Sequence, residues 1–166
     1  MPLDPPALAG ADFLWRQRIE LEYRGRTRVF DAALEKRGDR MVLVGLAPIG
    51  GSLLTLELEG DRVTARGPMA DSLPFSARYL LLDVQRCYFP VFAGPAPSDG
   101  VRTIRRGGEL VTEVWGDGRL LVRSFLSLAD ERRTRIAYGR SRVDGGYESV
   151  VLTDESRGYR LSITTR

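Results

Sequence analysis

The side chains that most often carry out chemistry are sparse here. The 166 residues include no histidine, which removes the commonest general acid–base group and the commonest metal ligand together. One cysteine, Cys87, stands between Arg86 and Tyr88. A neighbouring cation can lower a thiol's pKa and expose a nucleophilic thiolate, but a lone cysteine more ordinarily fills a core. Carboxylates occur at Asp83, Asp117, Asp130, Asp154 and Glu155 among others, and none stands in a recognised acid–base pair or metal-ligand spacing. "FLSLAD" lacks the glycine framing of a nucleophile elbow, and no histidine exists to activate Ser124 or Ser127. The chain therefore reads as a protein that is not an enzyme and takes no cofactor or metal.

Arginine is the remaining reactive type. Of the 25 basic residues only Lys36 is lysine. "RTIRR" (Arg102, Arg105, Arg106) and "ERRTR" (Arg132, Arg133, Arg135) are clusters that could meet lipid headgroup phosphates or an anionic membrane surface. A solvated strand face is their more ordinary use. A net charge of +3 is too modest to argue for nucleic acid. Single-strand binding would also want aromatics interleaved with the cations. "RTIRRGGEL" has none and "ERRTRIAY" offers only Tyr138, so no nucleic-acid partner is expected.

The elements around these residues are mostly strands. "FLWRQRIELEY" alternates, with Phe13, Trp15, Ile19, Leu21 and Tyr23 on one face, interrupted by Gln17. "RVFDAALEK", "MVLVGL", "SLLTLELEG" and "RVTARG" follow, separated by glycine-bearing turns. "MVLVGL" is apolar on both faces: Met41, Leu43 and Gly45 on one, Val42, Val44 and Leu46 on the other. One set can face a core. The other must be covered by a crossing segment or the N-terminal lead-in, or left as a docking surface. "ADSLPFSARYLLLDVQRCYFPVF" then changes to helical spacing, with Ser72 as a candidate N-cap, Pro74 in the first turn and a stop before Pro90. Six further strand candidates run from "VRTIRR" to "YRLSITT". Residues 1–12 are Pro- and Ala-rich without periodicity and read as a flexible lead-in.

Length allows one domain with a sizeable core. The expected organisation is a lead-in at 1–12, then a single domain at 13–166 with a helical insertion near 73–92. About eleven strands in two meanders should curl. The expected fold is mainly β with a central helix: a curved antiparallel sheet forming an incomplete, half-open β-barrel, with the helix as plug or lid.

"LVGLAPIGGSLLTLELEGDRV", "LPFSARYLLLDVQRCYFP" and "GYRLSI" carry a resemblance. Their order is similar to that of bacterial Lol-type lipoprotein carriers. It resembles more closely an uncharacterised family of small bacterial lipoprotein-like domains that accompany aryl-polyene-type lipid biosynthesis clusters. The resemblance implies a periplasm-facing outer-membrane lipoprotein that binds or moves a lipid-like molecule. Neither a secretory leader nor an acylated cysteine is visible in "MPLDPPALAG", so either both are expected upstream of these residues or membrane anchoring does not hold.

Under that reading Trp15, Ile19, Phe30, Leu34, Leu54, Leu56, Leu58, Leu80 and Val84 line a lipid-binding cavity; otherwise they pack on one another as a plain core. Ten buried CH₂ groups of a ligand would contribute about 8 kcal/mol before binding entropy is subtracted. Pro48 and Ile49, at the "APIGG" tip, are candidate contacts for the outer-membrane surface or for a periplasmic carrier protein; otherwise Ile49 folds back on the sheet edge. The expected partner is a lipid or acyl chain. The competing function is a rigid docking module for a partner of an envelope or lipid-biosynthesis assembly.

Overall fold

A computed structural model of the chain describes residues 3–72 and 75–166. Strands β1 (Phe13–Tyr23), β2 (Arg26–Arg37), β3 (Arg40–Leu46), β4 (Ser52–Glu59) and β5 (Arg62–Arg66) precede helix α1 (Ala77–Tyr88). After it come β6 (Gly100–Arg106), β7 (Glu109–Gly116), β8 (Arg119–Ser127), β9 (Arg133–Tyr138), β10 (Ser149–Asp154) and β11 (Tyr159–Thr165). The strands form one antiparallel sheet in the order β5-β4-β3-β2-β1-β11-β10-β9-β8-β7-β6. Because β5 and β6 end that order, the sheet is open and not closed into a barrel. Two meanders with one helix between them are what the alternating pattern leads one to expect.

Turn chemistry sets the hairpins. Arg24 and Gly25 lie at φ 50° and 71°, and Asp117 and Gly118 at 52° and 69°. Two consecutive left-handed residues are what a two-residue turn of matching twist demands. The chain divides into two compact units: Met1–Ile19, Val29–Pro90 and Thr165–Arg166 in the first, Glu20–Arg28 and Val91–Thr164 in the second.

In the first unit, pairing aligns three cross-strand rows: Ala32–Gly45–Leu54, Leu34–Leu43–Leu56 and Lys36–Met41–Leu58. Burying each large aliphatic side chain contributes about 1.5–3 kcal/mol, and eight of these nine residues present no charge. The other face of β3 answers the two-faced pattern. Val42 lies between Glu35 and Glu57, and Val44 between Ala33 and Thr55. Both valines are half-buried, and Leu46 is exposed. The second apolar set is thus partly shielded by its own cross-strand neighbours.

Helix α1 is capped by Ser76, whose hydroxyl oxygen accepts from Tyr79 N at 3.3 Å. The cap lies four residues beyond Ser72. The Ser72 side chain and Pro74 fall outside the described residues. The helix ends with Phe89 N donating to Gln85 O at 2.8 Å, just before Pro90. The segment before β1 departs from the expectation of a loose lead-in. It forms a short 3-10 helix at Pro6–Ala9, buries Leu3 and Pro6, and is bonded to both α1 and β2.

In the second unit the central row is Arg102–Glu113–Arg123–Ile136–Leu152. It begins with charge and ends in aliphatic residues. The next row, Ile104–Val111–Phe125–Thr134–Asp154, is buried from Val111 onwards. Asp154 accepts from Ser156 Oγ at 2.7 Å and Arg157 N at 2.9 Å, closing the turn into β11.

Candidate apolar site beneath helix α1

Five of the nine expected lining residues come together in one buried cluster: Trp15, Leu34, Leu54, Leu56 and Leu58. Leu80 and Val84 are half-buried against it. Ile19 is buried but stands outside this cluster. Phe30 is half-buried, its ring 3.7 Å from where a Cβ on Gly45 would stand. The ring fills the gap that the glycine leaves in the sheet face.

Helix α1 supplies Leu81, Leu82 and, just beyond its end, Phe89. These, with Leu3 and Met41, are members that the sequence reading missed. Met41 was legible from its parity with Leu43. Leu81 was not, because three consecutive leucines leave the buried side of the helix ambiguous. Leu34, Leu56, Leu58 and Leu81 are 0% exposed. No water-sized void therefore adjoins them, and at these positions the site is a packed core.

Few polar groups are built into this layer, and each has a specific task. Gln17 Nε2 donates to Tyr88 Oη at 2.9 Å, which explains the one polar interruption of the β1 face. Asp4 N donates to Gln85 Oε1 at 2.9 Å, and Gln85 Nε2 donates back to Asp4 O at 2.6 Å. Lys36 Nζ donates to Gly10 O and to Asp12 Oδ1 at 3.0 Å. The Lys36 hydrogen bond, with a second from Gly38 N, holds the Asp12 carboxyl below its ordinary range. Phe13 and Trp15 stack at 3.8 Å, and Trp15 meets Tyr88 at 5.0 Å. The buried Trp15 Nε1 finds no acceptor among the described residues. An unmet buried donor costs about 1–3 kcal/mol, so this indole N–H keeps its hydrogen-bonding capacity.

The β3–β4 tip is closed by Ala47 N donating to Gly51 O at 3.0 Å and Gly50 N to Ala47 O at 3.1 Å. Pro48 is exposed. Ile49 is 98% exposed and stands in solvent instead of folding back. Cys87 is buried and forms no disulfide, the environment of an inert thiol. Among the described residues no group of three His, Cys, Asp or Glu side chains could hold a metal. Among the described residues no helix is long and apolar enough to cross a membrane. The arginine clusters divide: Arg132, Arg133 and Arg135 are exposed, as are Arg105 and Arg106, whereas Arg102 is half-buried.

Comparison with solved structures shows the fold. A LolA superfamily protein from Nitrosomonas europaea is similar with a TM-score of 0.53 and 8% identity, covering 93% of this chain and 84% of that one. A putative outer membrane lipoprotein-sorting protein domain from Vibrio parahaemolyticus gives 0.50 and 12%, covering 93% and 83%. A DUF1329 family protein from Desulfovibrio piger gives 0.51 and 12%, covering 99% and 92%. The open eleven-stranded sheet with its helix is therefore a LolA-like fold, as the Lol-type resemblance implies. No curated protein matches the chain. Across residues 14–166 the sequence matches the family described as a protein of unknown function, DUF3261, and the chain belongs to that family.

Proposed function

We propose that the protein is a lipid- or lipoprotein-binding carrier or acceptor of the bacterial cell envelope, periplasm-facing, and that it is not an enzyme. The observation that carries this reading is the aliphatic sheet face of the first unit, covered by a single helix of 12 residues. The LolA-like fold supports it. Because Leu34, Leu56, Leu58 and Leu81 are sealed, an acyl chain enters only when α1 lifts, and it then takes the volume that Leu81 and Leu82 now fill. The chain would lie along Trp15, Leu34, Leu54, Leu56 and Leu58, with Ile19, Phe30, Leu80 and Val84 at the margin. The unmet Trp15 N–H would donate to a carbonyl or carboxyl oxygen of the ligand. Membrane attachment through an acylated cysteine upstream of these residues belongs to the same reading.

Native mass spectrometry after gentle purification, with uptake of a fluorescent fatty acid, tests it. Bound lipid or saturable uptake is expected. A protein that carries no lipid and takes up no fatty acid refutes the carrier.

The exposed Ile49 favours a complementary docking role for the Pro48–Ile49 tip. An apolar side chain held clear of the sheet by two left-handed glycines, Gly50 and Gly51, suits contact with a membrane surface or with a partner such as a periplasmic carrier.

A further inference from the structure

The second unit contains a charge arrangement that the apolar site does not use. Glu113 is 1% exposed, and two guanidinium groups converge on it. Arg123 donates to its Oε1 through Nε at 2.8 Å and Nη2 at 2.7 Å. Arg102 donates through Nε to Oε2 at 2.8 Å, and Trp115 Nε1 donates to the same oxygen at 3.0 Å. The carboxylate is saturated. Two cations share one anion, so the triad carries one formal positive charge in excess.

Arg102 is the accessible member. Its side chain is 24% exposed, against 6% for Arg123. Its Cζ lies over the Phe92 ring at 4.3 Å and near the Trp115 ring at 5.1 Å. Rings against the guanidinium faces leave the in-plane N–H groups as the means of recognition. Among the described residues Arg102 uses only Nε for hydrogen bonding, so its terminal nitrogens keep their donors. Arg102 also sits on β6, which ends the strand order. The β7–β8 register shifts between Val114 and Trp115, beside the triad, and irregularities of this kind re-aim side chains at sites.

A structural network would balance its charge, since leaving a half-buried cation without an anion is unfavourable. We infer that Arg102, presented by Phe92 and Trp115 and oriented by Glu113, binds a phosphate oxyanion, either free or as a lipid headgroup. Arg123 acts as the positioning residue: it neutralises Glu113 and so leaves the charge of Arg102 for the ligand. The site is carried by the second unit alone and does not rest on the carrier reading.

The test is titration calorimetry of the full chain with inorganic phosphate, glycerol 3-phosphate and monomeric dihexanoylphosphatidylglycerol. Saturable binding of at least one is expected, weakened about tenfold or more in Arg102→Gln and less in Arg102→Lys, which keeps charge but loses the fork. Arg105→Gln, an exposed arginine on the opposite face of the same strand, should bind as the parent does. Binding of all three probes identifies a free phosphate site; binding of the lipid alone identifies a headgroup site. Absence of saturable binding, or equal loss in Arg102→Gln and Arg105→Gln, overturns the inference. Should Arg102→Gln not fold, the two indole N–H signals of the unaltered protein decide. The Trp115 signal should shift with at least one of the three probes, and that of Trp15 should stay in place with inorganic phosphate and glycerol 3-phosphate, which carry no acyl chain; a Trp115 signal static with all three, or moving with Trp15 in either acyl-free titration, refutes the site.

Discussion

Asp4 and Gln85 exchange two hydrogen bonds across 81 residues of sequence, Asp4 N to Gln85 Oε1 and Gln85 Nε2 to Asp4 O. One side-chain amide thus reads the backbone of the N-terminal segment as a partner strand would. Leu3, beside it, joins the same core as Leu81 and Leu82. The segment and the helix are fastened together by polar and apolar means at once.

Gln85→Ala removes both bonds and leaves the Asp4 backbone groups without them. Each bond contributes about 0.5–1.5 kcal/mol, so urea denaturation should show a loss of about 1–3 kcal/mol. Amide exchange at residues 4–9 should accelerate more than exchange in β3 or β4. Uniform acceleration across the first unit would show that the segment is not held locally.

Tyr88→Phe keeps the ring against Trp15 and removes the hydroxyl that accepts from Gln17. The buried Gln17 amide loses that partner, at a cost of about 1–3 kcal/mol. A helix that must lift to admit a ligand should lift more readily here. Stopped-flow uptake of a fluorescent fatty acid should therefore be faster than in the parent. A slower or unchanged rate would count against α1 as the moving element.

Leu56→Ala deletes a fully buried side chain from the β4 end of the Leu34–Leu43–Leu56 row. Truncations of this kind cost about 2–5 kcal/mol. Equilibrium unfolding should give a value in that range, whereas a loss below 1 kcal/mol would mean that the face is looser than its burial indicates.

Burial pushes the Glu113 carboxyl up, but the Arg123 charge and the hydrogen bonds from Arg102, Arg123 and Trp115 outweigh it, so the group ends below its ordinary value of 4.5. With the folded value depressed, the unfolded chain binds the proton first. The stabilisation is complete above pH 4.5 and is lost as pH falls from there through the folded value. Glu113→Gln should flatten the acid limb of a stability–pH profile while lowering stability at pH 7 by about 3–5 kcal/mol, the cost of unpairing buried charges. The limb should not vanish, because Asp12, Glu57, Asp130 and Asp144 are also held low. An unchanged acid limb would contradict the assigned role of Glu113.

Ile49→Ser should leave stability within about 0.5 kcal/mol of the parent, because the side chain touches little of the fold. Flotation with anionic vesicles, or capture by a purified carrier partner, should weaken. Equal retention by both proteins would remove the tip from the docking reading.

The strands were legible because period-two alternation is local: "SLLTLELEG" names its own inward face through Leu54, Leu56 and Leu58. The fastening of residues 3–12 was not, because its partners, Lys36 and Gln85, lie far away in sequence and "DPPALAG" has no period to read. The helix start was misplaced from Ser76 to Ser72 because two serines, each preceding apolar residues, offer the same capping oxygen. The Arg102–Glu113–Arg123 triad is invisible until register is known. Only the pairing of β6 with β7 and of β7 with β8 turns three scattered charges into neighbours.

The single lysine has a practical corollary. Lys36 is the only ε-amine in the 166 residues, and it is covered by the Gly10–Asp12 segment to which it is bonded. Amine-directed acylation within the chain therefore has one lysine target, reached only in molecules whose covering segment has come away. Its labelling rate is a built-in clock for that opening, and ligands that hold the first unit open or closed should advance or retard it.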